Sequence, residues 1–286
     1  MLPYLFLAPA LLATAAIVLY PVASTMWMSL QDFVLFRPHD IKFVGLGNFA
    51  RLAADEVFWI SLGNSLVWIG LAVGLQFALG LATALVLNES FFWRSLARAA
   101  IVVPWALPSV IIGLMFTWIY DYNLGVLNDL LLRLGLVDGP VAWLARPDSA
   151  LLAVVAALVW QGFPFFAVII LAGLQAIPND LQEAAEIDGA TRWQRFRHVV
   201  WPGLAGVILT ALLLRTIWVA NSLDVILVMT GGGPGYATHT LPLYAFLRAY
   251  SGMEFGYGSA LAVVLTVFLM AIAAIYVRRT MREAFR

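Results

Sequence analysis

The stretch Ile177-Pro178-Asn179-Asp180-Leu181-Gln182-Glu183-Ala184-Ala185-Glu186-Ile187-Asp188-Gly189-Ala190-Thr191-Arg192-Trp193-Gln194-Arg195-Phe196-Arg197-His198-Val199-Val200-Trp201-Pro202 is a polar interruption in a largely apolar chain. Its grammar is local. Asp180 stands three residues before Glu183, the spacing of a capping box with Asp in the usual Ser/Thr place. Leu181–Ile187 then reads as a short helix of good helix formers. Asp188-Gly189 stops it, because glycine takes the left-handed conformation that ends helices. Thr191 can open a second helix, with Trp193, Phe196, Val199 and Val200 on one side. Arg192 and Arg195 fall on another face, open to solvent or a partner, and Pro202 is expected to end this helix. Such a helix-turn-helix has the form of a docking element, although an ordinary solvated loop has the same composition.

On either side of this stretch the chain is apolar. Of 286 residues, 63% are hydrophobic and 11% charged, against about half and a quarter in soluble domains. Lipid must therefore solvate much of the surface. Stretches near Leu5–Leu30, Ser61–Leu87, Ala99–Tyr120, Ala150–Leu174, Leu204–Thr230 and Tyr257–Val277 are each long enough to cross a bilayer, which takes about 20 helical residues. The expected fold is an all-α polytopic membrane protein with six transmembrane helices. Residues 1–60 form a first helix and an outer loop. Residues 61–286 form a core of five helices with the polar loop at 175–203. The first stretch reads as a span and not as a cleaved leader, since no basic segment precedes it and it is too long. Glycine and proline recur inside the spans, as at Gly63, Gly70, Gly74, Gly80, Pro104, Pro108, Gly162 and Pro164, which points to close packing or bends.

Basic residues orient the spans. Arg94, Arg98, Arg192, Arg195, Arg197, Arg278, Arg279, Arg282 and Arg286 fall in one set of connecting segments. Arg37, Lys42, Arg51, Arg133, Arg146 and Arg248 fall in the longer opposite set, which is also rich in acid. The first set is read as cytoplasmic, together with both termini. The formal net charge is zero, which argues against a nucleic-acid partner. Cysteine is absent, and His39, His198 and His239 are far apart, so neither a thiolate nor a histidine metal site is expected. Lys42 is the only lysine and stands in Ile41-Lys42-Phe43. A phosphate-binding loop of the Walker type needs Lys between Gly and Ser/Thr, so this chain does not bind ATP that way.

The polar stretch resembles the permease subunits of ATP-binding-cassette importers. Their pattern is Glu-Ala-Ala, three residues, Gly, nine residues, Ile-x-Leu-Pro. Here it reads Glu183-Ala184-Ala185, Gly189, then Val199, Trp201 and Pro202, with Trp201 departing from Leu. Asp224, Thr230-Gly231-Gly232-Gly233-Pro234, Tyr244, Phe255-Gly256, Trp160-Gln161-Gly162-Phe163-Pro164, Pro104 and Pro108 are similar to the sugar-permease branch, that of the larger subunit of maltose-type transporters. This chain has its compact six-span form. The resemblance implies a type I importer permease fold in a bacterial or archaeal cytoplasmic membrane. It implies that Glu183, Ala184, Ala185, Asp188, Gly189 and Arg192 belong to a coupling helix seated in an ATPase cleft. It implies as partners a second related permease, two ATPase subunits that carry ATP and magnesium, and an extracytoplasmic sugar-binding protein. No cofactor belongs to this chain, which is a transport subunit and not an enzyme.

Two segments suit a substrate path. Gln161 and Gly162 sit beside Phe163-Pro164-Phe165. Trp218, Asn221, Ser222 and Asp224 recur at spacings that let them share a helix face. Sugars are held through aromatic faces and paired polar groups, and transporters place such sites where helices are interrupted. The resemblance marks Gln161, Gly162, Phe165, Trp218 and Ser222 as substrate-contact positions. Asp224 has two readings: contact with substrate, or pairing with a cation such as Arg215 or a residue of a partner chain. A glycerol phosphate or polyol in place of a sugar stays open. An ion-coupled secondary transporter should show internal repeats, and a membrane enzyme a clustered nucleophile or metal set, and neither is seen.

Overall fold

The computed structural model describes residues 2–284, with side chains over 6–278. Arg286 and the side chains of Leu5, Arg279 and Arg282, used above, lie outside the described residues. Among the described residues the chain is mostly helical, with one small hairpin of two two-residue strands. In order it forms α1 (Phe6–Ser29), β1 (Gln31–Asp32), β2 (Lys42–Phe43), α2 (Gly47–Ala53), α3 (Glu56–Asn88), α4 (Arg94–Ala106), α5 (Ser109–Ile119), α6 (Val126–Arg133) and α7 (Pro147–Ala176). Then come α8 (Asn179–Ile187), α9 (Arg192–Arg195), α10 (Trp201–Asn221), α11 (Asp224–Met229), α12 (Leu241–Phe246) and α13 (Phe255–Ala284).

Among the described residues five helical runs are long and apolar enough to cross a membrane, and the pair α4 and α5 makes a sixth if counted as one span. That pair departs from the straight span expected near Ala99–Tyr120. It bends by 95° at Leu107-Pro108. Leu107 is driven into the extended region (ψ 138°) because the ring of Pro108 excludes the helical one. Pro164 has no such effect, and α7 runs through it.

Pro21 and Pro202 sit in helices that do not stop. In each case one wide turn precedes the proline. The Tyr20 amide donates to Ala15 and the Trp201 amide to Phe196, five residues back. The extra residue shifts the preceding turn away from the ring, which in a regular helix would strike a carbonyl four residues back. Pro202 therefore does not end the second helix of the polar stretch. It lies in the first turn of α10.

The chain divides into two compact units, Met1–Gly63 with His239–Ala271, and Asn64–Thr238 with Ile272–Arg286. The first has a core of Leu52, Phe58, Leu241, Tyr244, Tyr257, Ala260, Leu261 and Leu265. A polar network adjoins this core. Tyr244 donates to Asp55 at 2.5 Å, and Tyr257 donates to the same carboxylate. Arg248 donates to the Tyr244 oxygen at 2.9 Å, and Arg51 pairs with Glu254 at 3.0 Å. Asn48 closes the hairpin by donating to Ser29 and Gln31 carbonyls at 2.9 and 2.8 Å.

In the second unit α7 is the most buried helix, with Val154, Ala157, Phe166, Ala167 and Ile170 at or near zero exposure. α5 packs on α11 through Gly113, where a β-carbon would lie 2.9 Å from Val228. Trp68 of α3 is 1% exposed and donates its indole N–H to the Val219 carbonyl at 3.0 Å, near the end of α10. Gly63, Gly70 and Gly74 of α3 face open space, so packing within this chain does not account for them.

Candidate functional site

Two helix breaks in the second unit open onto one cavity of about 490 Å³. The first is the α4–α5 bend. The second separates α10 from α11. There the helix ends at Asn221, Ser222 is extended (ψ 125°), and Asp224 stands in the first turn of the next helix. Trp218, Asn221, Ser222 and Asp224 thus do not share one helix face. They come from a helix end, a break and a helix start, and all four line the cavity. The Asn221 amide donates to the Ile217 carbonyl at 2.8 Å.

Gln161 of α7 also lines the cavity. Its side-chain amide donates to the Leu107 carbonyl and to Ser109 Oγ, both at 3.2 Å. It thus satisfies the Leu107 carbonyl, which the Pro108 bend leaves without a helical partner. Trp105 and Trp218 supply aromatic walls. Phe165 is 4% exposed and stands behind them, its ring 6.1 Å from Trp105 and 5.2 Å from Trp218. It supports the walls and does not line the cavity. Gly162 is likewise behind the wall, and a β-carbon there would overlap the Arg215 guanidinium.

Sequence reasoning named Arg215 only as a candidate partner of Asp224, and it did not place Gln76, Trp105 or Ser109 at the site. Gln76 is fully buried and Arg215 is 7% exposed. Arg215 Nε donates to Gln76 Oε1 at 2.6 Å, and Gln76 Nε2 donates to the Leu158 carbonyl at 2.8 Å. The pairing of Arg215 with Asp224, one of the two readings of Asp224, does not form within this chain. The available signal was a glutamine and an arginine inside apolar spans, where polar groups face inward.

The polar stretch forms a second site. α8 starts at Asn179 with Pro178 at its cap and no side-chain cap bond. Asp180 therefore lies inside the first turn, where its charge meets the positive helix end, and does not act as the cap of a box with Glu183. Gly189 has φ +75°, as a helix-stopping glycine requires. Thr191 caps α9 in a reciprocal box with Gln194. Trp193 stacks on Phe196 with ring centres 5.7 Å apart. Arg195 is not free as expected. It pairs with Glu186 across the turn and ties α9 to α8. Ala185, Asp188, Gly189 and Arg195 line a concave surface with Gln194, His198 and Val199. Glu183, Ala184 and Arg192 are not part of that concavity. Beside it Ile187 and Trp193 are 87% and 66% exposed. Trp193 had been placed with Phe196, Val199 and Val200 on one side of the second helix, whereas the exposure of Ile187 was not foreseen, because that residue fits a helix pattern equally well when buried.

Residues 76–283 match the family model described as binding-protein-dependent transport system inner membrane component. The chain belongs to this family. The trehalose/maltose transport system permease protein of Thermococcus litoralis is 40% identical over 97% of this permease and 92% of its own length. The sulfoquinovosyl glycerol transport system permease protein of Agrobacterium fabrum is 38% identical over 97% and 90%. Among solved structures, a bacterial ABC transporter involved in import of the acidic polysaccharide alginate contains a chain with TM-score 0.86. It is 21% identical and covers 98% of this permease and 95% of its own length. The helical membrane-spanning fold of this permease is thus that of importer permeases, in keeping with the resemblance carried by the Glu183 motif.

Proposed function

We propose that this permease forms the substrate path of an ATP-driven importer of a sugar or related carbohydrate. The observation that carries the reading is the cavity at the two helix breaks. Its Trp105 and Trp218 faces suit sugar C–H surfaces, and Gln161, Asn221, Ser222 and Asp224 suit hydroxyl edges. Phe165 and Gly162 act from behind the wall, one as aromatic support and one as a gap for Arg215. The trehalose/maltose and sulfoquinovosyl glycerol transport permeases, at about 40% identity, support the substrate class.

The α8–Gly189–α9 turn is the docking element for a separate ATPase. Glu183, Ala184, Ala185, Asp188, Gly189 and Arg192 are its contact residues, with exposed Ile187 and Trp193 as apolar anchors. We place this turn and both termini in the cytoplasm on the arginine bias. A second permease, two ATPase subunits and an extracytoplasmic binding protein complete the assembly in a bacterial or archaeal cytoplasmic membrane. The family match over 76–283 supports taking 61–286 as the permease core and 1–60 as a preceding helix and outer loop.

The test is reconstitution of the complex in vesicles with ATP enclosed and a panel of sugars outside. Trp218→Ala is expected to lower uptake and to spare assembly. Unchanged kinetics would remove Trp218 from the path, and absence of any ATP-dependent sugar uptake by the unaltered complex would end the carbohydrate reading.

A further inference from the structure

Arg215 lines the cavity although its side chain is more than nine-tenths buried. One guanidinium nitrogen is held: Nε donates to Gln76. Nη1 and Nη2 make no hydrogen bond or ion pair among the described residues. The Phe165 ring lies 5.8 Å from the guanidinium carbon. Gly162 provides the gap through which the group reaches this position. A buried charge without a partner is strongly disfavoured, and a guanidinium is a rigid fork that suits two adjacent acceptors. Gln76 fixes one edge of that fork and leaves the other for something in the cavity.

Asp224 decides what that is. It lies on the same cavity wall and has no ion pair among the described residues. The cavity thus carries one cation and one anion. A phosphate or other anionic group would meet Arg215 favourably and Asp224 unfavourably. A neutral polyhydroxylated ring suits both, since adjacent hydroxyl oxygens accept from the fork and a hydroxyl hydrogen donates to the carboxylate.

We propose that Arg215 is a specificity-determining residue that donates Nη1 and Nη2 to adjacent hydroxyls of a neutral sugar. This rests on the carbohydrate reading above. The test uses the full complex in vesicles, its binding protein in excess, with maltose, trehalose and sn-glycerol 3-phosphate as probes. Arg215→Met and Arg215→Lys are each expected to raise the apparent KM for the sugar taken up by about tenfold or more, since each loses at least one charge-assisted hydrogen bond. Trp218→Ala marks the size of effect for an apolar wall contact. A wild-type KM in the Lys variant, which keeps the charge beside Gln76 but loses the fork, overturns the proposal even if the Met variant fails to assemble. Uptake of glycerol phosphate in preference to both sugars overturns it as well. Uptake of sugar with unaltered KM in both variants leaves the carbohydrate reading standing and removes Arg215. Uptake of none of the probes removes both.

Discussion

Asp55 shows how much one side chain can organise. It accepts hydroxyls from Tyr244 and Tyr257 and the Val57 amide, the first at 2.5 Å and the last at 2.9 Å. Burial pushes its carboxyl up, but the two tyrosines, the Val57 amide and the Arg248 charge outweigh this, so its pKa lies below the ordinary value of 3.8. A lowered carboxyl contributes stability that is present above its unfolded pKa and lost as pH falls through the folded one. The melting temperature of the solubilised protein is therefore expected to fall on acidification below about pH 4. In Asp55→Asn this acid-dependent step should shrink. At neutral pH the variant should lose about 1.5–3 kcal/mol, the range for hydrogen bonds to a charged group, read by chemical or thermal unfolding. Gly162 is the second residue-scale case. Gly162→Ala is expected to destabilise by about 1–3 kcal/mol through overpacking. Part of that loss should disappear when Arg215 is also Met, because the nearest clash is with the guanidinium and the rest is with the Gln76 side chain. Strict additivity in that cycle would show the contact to be incidental. Neither the Asp55 acceptor set nor the Gly162 gap is legible in sequence. Asp55 meets tyrosines 189 and 202 positions away.

At the scale of elements, the polar stretch was the most legible part of the chain. Its order of helix, glycine stop and capped helix is set by neighbours within four residues, and the structure has that order. The errors there are instructive. Pro202 was read as a terminator because proline opposes a regular helix, but a five-residue turn at Phe196–Val200 accommodates it. Arg195 was read as free because Glu186 lies nine residues away, beyond any single-helix spacing. Gly189→Val is expected to strain the turn by about 1–2 kcal/mol, since a β-carbon disfavours the left-handed region. Thr191→Ala should weaken the start of α9 by about 1 kcal/mol. Co-purification of the ATPase and the ratio of ATP hydrolysed to substrate taken up measure both. The Val variant should lower co-purification and raise that ratio more than the Ala variant does, and equal, wild-type values in the two would count against this turn as the docking element.

For the whole molecule, composition already required lipid as solvent. It also left no lysine to hold a nucleotide phosphate. Lys42 sits in β2, exposed, in an ion pair with Asp40 at 2.8 Å. Lys42→Ala is therefore expected to leave ATP hydrolysis by the assembled complex unchanged, as measured by phosphate release. A large loss would mean that this chain contributes to nucleotide chemistry.

By itself the sequence determined the apolar helical stretches, the helix–glycine–helix order of the polar loop and the family, because apolar length, local capping and a contiguous motif are all properties of neighbouring residues. Only the tertiary structure decided how the cavity proposed as the substrate path is made. Trp218, Asn221, Ser222 and Asp224 had been read as one helix face, and it is a helix break that turns them together into a cavity. The Pro108 bend brings Trp105 and Ser109 to the same wall, 52 positions from Gln161 in the case of Ser109. Arg215 meets Gln76 across 139 positions, through a gap left at Gly162. Such meetings depend on which helices pack and at what depth. No periodicity along a single apolar span carries that information, because lipid-facing and cavity-facing positions draw on much the same residues.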